Sequence, residues 1–266
     1  MPIAESEGIR IYYDDRGKGE PALLCLPGLG VHHTIFLSLA ERLSAHHRVL
    51  AMDWRGHGKS DAADPDFGFP EMIADALAVI QAGGAESVIP ITQAHAGWVA
   101  IGLRERLGER VPRMIFCSWN PIFTHGNLQA GTFLGAMQKL QDKANWREAL
   151  EGLVSMWVAG APSAVETQIR EETESHGFED WSRRAREVSE VYARKGDPLQ
   201  VLSKLNPPPP VLHVYAQPRV QEYLATQEAF ARDHPWFSVR RLHASSHFPT
   251  LEAPDETADV IREFIA

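Results

Sequence analysis

Apolar runs and helical patterns alternate along the first 120 residues of the chain. Continuous apolar runs are typical of strands that are covered on both faces, and they occur at Ala22–Leu26, Arg48–Met52, Ser87–Thr92 and Met114–Cys117. Before them, Ile9–Asp14 alternates as an antiparallel edge strand would. Apolar residues at helical spacing lie between the runs, at Ile35–Leu43, Met72–Ala82 and Ala96–Leu107. This order predicts an α/β fold with a mostly parallel, doubly wound sheet.

The pattern changes between Pro121 and Gly196. Charged helical stretches replace the strand-like runs there, at Phe133–Lys143, Trp146–Trp157, Ala164–His176 and Trp181–Ala193. Afterwards strands are predicted at Val211–Tyr215 and Ser238–Leu242, and helices at Gln221–Arg232 and Pro254–Ala266. We therefore expect a helical cap over residues 121–196, inserted into a core of residues 1–120 and 197–266.

Composition and charge narrow the class of protein. The 266 residues are 44% hydrophobic and 23% charged, which is typical of a soluble globular protein. The net charge of -9 and the absence of a Lys/Arg run argue against a nucleic-acid partner. No apolar run approaches the roughly 20 residues that span a membrane, and the N-terminus lacks a signal-peptide pattern. We therefore expect no membrane partner. Cys25 and Cys117 lie in apolar runs, so we expect buried free thiols and a cytoplasmic location. The oligomeric state is left open.

The turn after Ser87–Thr92 connects a strand directly to a helix. α/β enzymes with a nucleophilic side chain hold it on such an elbow, with small residues two positions to either side. Thr92 and Ala96 flank Ala94 in this way, so a methyl group occupies the nucleophile position and acyl-enzyme chemistry has no carrier. A frame shifted by one residue would place His95 at the apex instead. We expect the turn to direct the His95 backbone N–H into a pocket, where it can stabilise negative charge.

Two further loops carry candidate polar groups. Pro27–Gly30 follows the first buried strand, and the Leu29 N–H is our candidate for the second donor of an oxyanion hole. The segment Asp53–Ser60 (DWRGHGKS) is interpreted as a structural turn with internal hydrogen bonds.

His247 is the predicted general base, because it follows the last strand and an imidazole exchanges protons near neutral pH. A carboxylate usually orients such a histidine. Ser118 follows Met114–Cys117 where an acid is expected, and no acid follows Val211–Tyr215 before Glu222. The Ser118 hydroxyl, Glu222 or a backbone carbonyl therefore remain alternatives for orienting His247. No convincing metal-ligand spacing or dinucleotide fingerprint is present, so we expect neither metal nor other cofactor.

Nearly the whole chain resembles the α/β-hydrolase fold and, within it, the cofactor-free dioxygenases that open 3-hydroxy-4(1H)-quinolone rings and release carbon monoxide. The resemblance is carried by Met52–Gly58, Pro65–Gly68, His95–Val99, Trp146–Glu148, His234–Ser238, Ser246–Pro249 and Ile261–Phe264. The hydrolase markers among them occur in many proteins, whereas His234–Ser238 and Trp146–Glu148 are much more specific to this family.

The resemblance implies a mechanism and assigns residues to it. A histidine, matched here by His247, deprotonates the 3-hydroxyl of the substrate, and the resulting anion reacts directly with O2. Leu29 and His95 match the backbone donors, and Trp157 matches a cap tryptophan that lines the ring pocket. The remaining residues assigned to the substrate pocket are Gln93, Ala94, Val31 and Trp119. The partners implied are a small aromatic substrate and O2.

The chain also departs from the family pattern. Its acid partner falls at Ser118, its elbow serine at Ala94, and a Trp and a His of its loop at Leu29 and Val31. A ring-cleaving dioxygenase is therefore the first hypothesis. Another cofactor-free proton-transfer enzyme (lyase, isomerase, cyclase or monooxygenase) is the second, and a non-catalytic binder of an aromatic ligand is the third. A hydrolase in which His247 activates water comes last.

Overall fold

A computed structural model describes residues 2–63, 66–119 and 128–266, with the backbone alone for residues 128–132. The predicted boundary between core and cap, at residues 120 and 121, lies outside this part of the chain, as does Pro65. The division into core and cap therefore stays a prediction.

Eight strands of the described residues form one sheet in the order β1-β2-β4-β3-β5-β6-β7-β8. They are β1 Ile3–Ser6, β2 Ile9–Arg16, β3 Ala22–Leu26, β4 Val49–Met52, β5 Val88–Gln93, β6 Met114–Cys117, β7 Val211–Tyr215 and β8 Phe237–Arg241. β1 and β2 are antiparallel to their neighbours, and all pairs from β4 to β8 are parallel. Every residue of β3 to β7 is buried, because helices cover both faces of the sheet there. The predicted doubly wound, mostly parallel sheet is confirmed.

Helices connect the strands and cover the sheet. They are α1 Leu37–Leu43, α2 Phe69–Ala82, α3 Gly97–Leu107, α4 Leu128–Leu140, α5 Trp146–Trp157, α6 Ser163–Glu174, α7 Phe178–Lys195, α8 Pro198–Ser203, α9 Gln221–Asp233, α10 Pro249–Glu252 and α11 Pro254–Ile265. α1 packs against α11, and α2 against α3 and β1. Between β6 and β7, α4 packs against α5 and α7, and α5 against α6. None of the described helices is long and apolar enough to cross a membrane.

The structure differs from the sequence prediction mainly at one edge of the sheet. Ile9–Asp14 was expected at the edge, but β1 pairs with β2 and takes that place. β1 has four residues with little apolar alternation, so its formation depends on pairing with β2 and packing against α2. The short helices α8 and α10 were also not predicted. Each begins with proline, which suits the first turn of a helix, but each spans at most six residues and is too short for a clear apolar period.

Candidate active site

A cavity of about 800 Å³ lies between the carboxyl ends of the strands and helices α4, α5 and α7. This is the usual location of ligand sites in open α/β sheets, and the volume suits a small organic ligand. Apolar side chains from both sides form most of the wall, among them Leu29, Val31, Phe133, Leu153, Trp157 and Phe248. Polar residues are fewer, and they are Gln93, His95, Lys139, Asn145, Glu148, Arg184, Gln217 and His247.

The elbow between β5 and α3 has the backbone geometry of a nucleophile turn. Ala94 lies at its apex with φ 51°, in the left-handed region that a residue with a side chain rarely adopts. Gly97 begins α3 against the ring of Trp119, and a Cβ on Gly97 would lie 2.3 Å from that ring. The structure therefore favours the frame with Ala94, rather than His95, at the apex. The strained turn is present, but its apical side chain is a methyl group.

Hydrogen bonds hold the His247 backbone between α5 and β5. Its N–H donates to the Trp157 carbonyl (2.7 Å), and its own carbonyl accepts from Gln93 Nε2 (2.7 Å). Gln217 Nε2 donates to the same Trp157 carbonyl (2.9 Å). The indole of Trp157 lies nearly parallel to the imidazole, with ring centroids 5.8 Å apart. The loop before His247 is fixed as well, because the backbone N–H groups of residues 245 and 246 donate to the Glu252 carboxylate.

Burial keeps the two imidazoles at the cavity neutral near pH 7. Burial, and secondarily the nearby His213, lowers the pKa of His247 from 6.5 to about 4. Burial, and secondarily His247, lowers the pKa of His95 to about 3. A neutral imidazole has a free electron pair on one ring nitrogen, so His247 is in the state required to accept a proton. His95 stacks on Phe133, with ring centroids 4.8 Å apart.

The predicted backbone donors, Leu29 and His95, both line the cavity. The loop that carries Leu29 bends tightly, and the Val31 N–H donates to the Gly28 carbonyl (3.4 Å). Gly30 has φ 83°, and a Cβ there would lie 2.5 Å from the Trp181 ring. Trp181 of α7 thus packs directly on this loop.

Two residues that we assigned to the site lie outside the described lining of the cavity. Ser118 is fully buried with φ 52°, and its hydroxyl has no hydrogen-bond partner among the described residues. Trp119 is fully buried beneath the elbow, where its Nε1–H donates to the Tyr192 hydroxyl (3.0 Å). The alternative partner Glu222 is exposed at the start of α9. The structure therefore shows no contact between the Ser118 hydroxyl or Glu222 and His247.

Other cavity residues were not identified from the sequence. Gln217 follows β7, at the position where we sought an acid. Its position after a strand could have indicated a site residue, but glutamine is not an acid and was passed over. Phe133 comes from α4, and Trp181 and Arg184 come from α7; the contacts of these helices with the strand ends have no marker in the sequence. Within the described residues there is no group of three or more His, Cys, Asp or Glu that could hold a metal ion.

The Asp53–Ser60 turn has the internal hydrogen bonds that were expected. The Asp53 carboxylate accepts from the backbone N–H groups of His33 (2.7 Å) and Lys59 (2.9 Å). Arg55 pairs with buried Asp75 (2.6 Å). His57 is different, because its ring extends towards the cap and contacts Arg184.

Comparison with known proteins shows which family this chain resembles. Residues 23–260 match the model of the alpha/beta hydrolase family, which confirms the predicted α/β-hydrolase fold. A 2-heptyl-3-hydroxy-4-quinolone dioxygenase, AqdC2 of Rhodococcus erythropolis, is 36% identical over 97% of this chain and 96% of its own length. The 1H-3-hydroxy-4-oxoquinoline 2,4-dioxygenase of Pseudomonas putida is 32% identical over 100% of this chain and 99% of its own.

Solved structures give the same relationship. An AqdC variant in complex with its substrate, the Pseudomonas quinolone signal, superposes with a TM-score of 0.91 at 33% identity, covering 99% of this chain and 98% of that one. The enol-lactonase of Burkholderia xenovorans LB400 superposes with a TM-score of 0.76 at 17% identity, which shows a shared fold only.

Proposed function

Because this chain belongs to the alpha/beta hydrolase family and, within it, to the 3-hydroxy-4-quinolone 2,4-dioxygenases, we propose that it cleaves the heterocyclic ring of a 3-hydroxy-4(1H)-quinolone with O2, with His247 as general base. The observation that carries this proposal is the combination of a neutral imidazole with a nucleophile elbow that has no nucleophile. His247 lines the cavity in the form that accepts protons, whereas Ala94 cannot form a covalent intermediate. Such a site suits proton abstraction better than acyl transfer.

The first step is removal of the 3-hydroxyl proton by His247. Its low pKa makes the isolated imidazolium unfavourable, but the substrate oxyanion formed in the same step is an opposite charge beside it. The oxyanion raises the electron density of the heterocycle, so that the ring can transfer electrons to O2 and form a carbon–oxygen bond. Both oxygen atoms remain in the ring-opened product, and the carbon that carried the hydroxyl leaves as carbon monoxide. The electrons come from the substrate, so this reaction requires no metal or organic cofactor.

The surroundings of His247 suit this chemistry. The Leu29 and His95 N–H groups are our proposed donors to the developing oxyanions, since both residues line the same cavity. The flat face of Trp157 beside the imidazole offers a surface on which an aromatic ring can stack. Ala94 and Val31 are small groups that leave space for the substrate, and the mainly apolar wall excludes water from the anion.

Two broader assignments belong to the same proposal. We place the protein in the cytoplasm, which is consistent with Cys25 and Cys117 as buried free thiols. We also assign substrate selection to the predicted cap, residues 121–196, because described residues of its helices form much of the cavity wall.

The test measures carbon monoxide and substrate loss with 2-alkyl-3-hydroxy-4(1H)-quinolones, in air and without O2. We expect equal amounts of carbon monoxide and ring-opened product in air, and neither without O2. The same preparation, assayed with 4-nitrophenyl acetate, controls for hydrolase activity and should give no burst of nitrophenol. Turnover of the quinolone that continues without O2 would overturn the dioxygenase and favour a lyase or isomerase. Tight binding in air with no loss of substrate would favour a ligand-binding protein.

A further inference from the structure

Arg184 of α7 is a buried cation in the cavity wall, apart from the proposed base. It is 2% exposed. Its Nη2 is 3.0 Å from His57 Nε2 and 3.0 Å from His176 Nδ1. Its Nε and Nη1 are shielded from water and have no hydrogen-bond partner among the described residues. Buried N–H groups are nearly always paired in proteins, so unpaired donors on a cation require an explanation.

The two histidines that contact Arg184 accept its hydrogen bonds and bring no negative charge. His57 Nδ1 lies 3.0 Å from the Arg55 carbonyl, to which it must donate, so the hydrogen-bond network assigns the electron pair to Nε2. Burial and, next, Arg184 lower the pKa of His57 well below 6.5 and that of His176 to about 3. Both rings are therefore neutral, and the guanidinium charge is uncompensated by them.

No carboxylate within the described residues pairs with Arg184. The acid with the strongest influence on its pKa is Asp180, whose side chain is 44% exposed. That carboxylate lies 3.5 Å from Arg183 and 3.9 Å from His176. Burial, which outweighs Asp180, lowers the pKa of Arg184 to about 9. The ring of Trp181, 5.1 Å from the guanidinium carbon, supplies no full negative charge. A buried charge without a charged partner is strongly unfavourable, and proteins accept such costs at functional sites.

We propose that Arg184, held in place by His57 and His176, forms a subsite for a carboxylate that the substrate carries on an arm away from its reacting carbons. This proposal rests on the proposed function, because it assumes that the quinolone ring lies beside His247. A carboxylate oxygen at Nη1 supplies both the missing charge and the missing acceptor. The substrate class is then an anionic 3-hydroxy-4-quinolone, rather than one whose substituent is purely alkyl.

The deprotonated 3-hydroxyl is a poorer candidate for the anion at Arg184. That oxygen must lie at His247, which is beside Gln93, Trp157 and Phe248. Arg184 instead joins α7 to the Asp53–Ser60 turn through its contact with His57. The neighbours that lower the pKa of His247 and His95 beyond burial are other histidines. The cavity of about 800 Å³ has room for a substituent that reaches from one region to the other.

The test compares substrates that differ at one end only. A series of 2-alkyl-3-hydroxy-4(1H)-quinolones with graded chain lengths is prepared with terminal methyl groups and with terminal carboxylates. At the best length, we expect the ratio of kcat/KM values, carboxylate over methyl, to be about tenfold higher in the wild type than in Arg184→Met. Both substrates are assayed on one protein sample, so the ratio does not depend on the folded fraction. An equal ratio at every length would overturn the subsite.

Two further variants serve as controls for this comparison. Arg183→Met removes the neighbouring cation of α7, which contacts Asp180 and Phe67 instead of the cavity, and should leave the ratio unchanged. Arg184→Lys keeps the charge but loses the planar group that contacts both histidines. It should lower the ratio about threefold or more, and it replaces Arg184→Met if that variant does not fold. A ratio equal to the wild type in Arg184→Lys and in Arg184→Met would contradict the proposal.

Binding separates this proposal from the proposed function. Analogues with a methylated 3-hydroxyl cannot lose the proton and should bind without reacting, so their Kd is measured by calorimetry. Carboxylate binding that weakens about tenfold in Arg184→Met supports the subsite even if no quinolone is turned over. Turnover that releases carbon monoxide, with neither Kd nor kcat/KM dependent on Arg184, would retain the dioxygenase and overturn the subsite.

Discussion

Two polar regions of the cavity, one around His247 and one around Arg184, differ in how their central side chain is held. Around His247, the backbone N–H and carbonyl are both bonded and Trp157 stacks on one side of the ring, although Gln93 Oε1 and His95 Nδ1 nearby lack partners among the described residues. Around Arg184, two donor nitrogens of a buried cation lack partners among the described residues. Both regions contain histidines that burial keeps neutral, but only the second has a fixed positive charge.

This difference suits the two regions to different roles: the first holds a catalytic base in position, and the second recognises a ligand. A general base must be held within a fraction of an ångström in the free protein, because misplacement reduces the rate steeply. A binding group can remain unsatisfied until the ligand arrives, since the ligand's own charge then completes it. The His247 region has the first property and the Arg184 region the second. The comparison predicts that substitutions in the His247 region reduce kcat, whereas those at Arg184 change substrate preference.

The largest effect is expected from His247→Ala. Loss of a general base costs 10²–10⁴-fold in rate, and we expect kcat to fall about a thousandfold. In the wild type, the base form is present above the pKa of His247, so kcat/KM should be constant at neutral pH and fall as the pH drops through about 4. The measurement is a pH profile of kcat/KM for both proteins, with buffers checked for unfolding by circular dichroism.

Two outcomes would contradict this prediction. A His247→Ala variant with more than about a tenth of the wild-type kcat would exclude His247 as the base. A wild-type profile that falls near pH 6.5 would mean that burial does not depress the pKa of the essential group. Added imidazole that restores part of the activity of His247→Ala would support the assignment, because it replaces the missing group.

A smaller effect is expected from Gln93→Leu. Gln93, which we assigned to substrate binding, lines the cavity, and its side-chain amide also donates to the His247 carbonyl in a fully buried position. We therefore treat Gln93 as a positioning residue, whose loss should lower kcat about tenfold with little change in KM. Gln217→Leu is the matched control, because Gln217 bonds to the Trp157 carbonyl rather than to His247. It should have the weaker effect on kcat. A raised KM at unchanged kcat in Gln93→Leu would instead restore the substrate-binding role.

The success of the sequence prediction varied with the kind of signal. β3, β6, β7 and α5 were predicted with the residue bounds that the structure has, because buried apolar runs and helical spacing are local patterns. The elbow at Ala94 was also predicted, because small flanking residues indicate a strained turn. Arg184 was missed because its burial and its contact with His57 depend on how α7 packs on the Asp53–Ser60 turn. No local pattern encodes such a contact between residues 127 positions apart.

The smallest effect is expected from Ser118→Ala. Ser118 occupies the expected acid position after β6, yet its hydroxyl is buried without a partner among the described residues, so its removal breaks no hydrogen bond there. We expect kcat/KM to change less than about twofold and the free energy of unfolding to stay within about 1 kcal/mol or rise, because a buried unpaired hydroxyl is itself unfavourable. Thr92→Val is the matched control, since its hydroxyl at the end of β5 is also buried and unpaired there. A fall in kcat of about tenfold or more in Ser118→Ala, but not in Thr92→Val, would show that Ser118 acts on His247 after all. The two polar regions would then no longer account for all of the chemistry of the cavity.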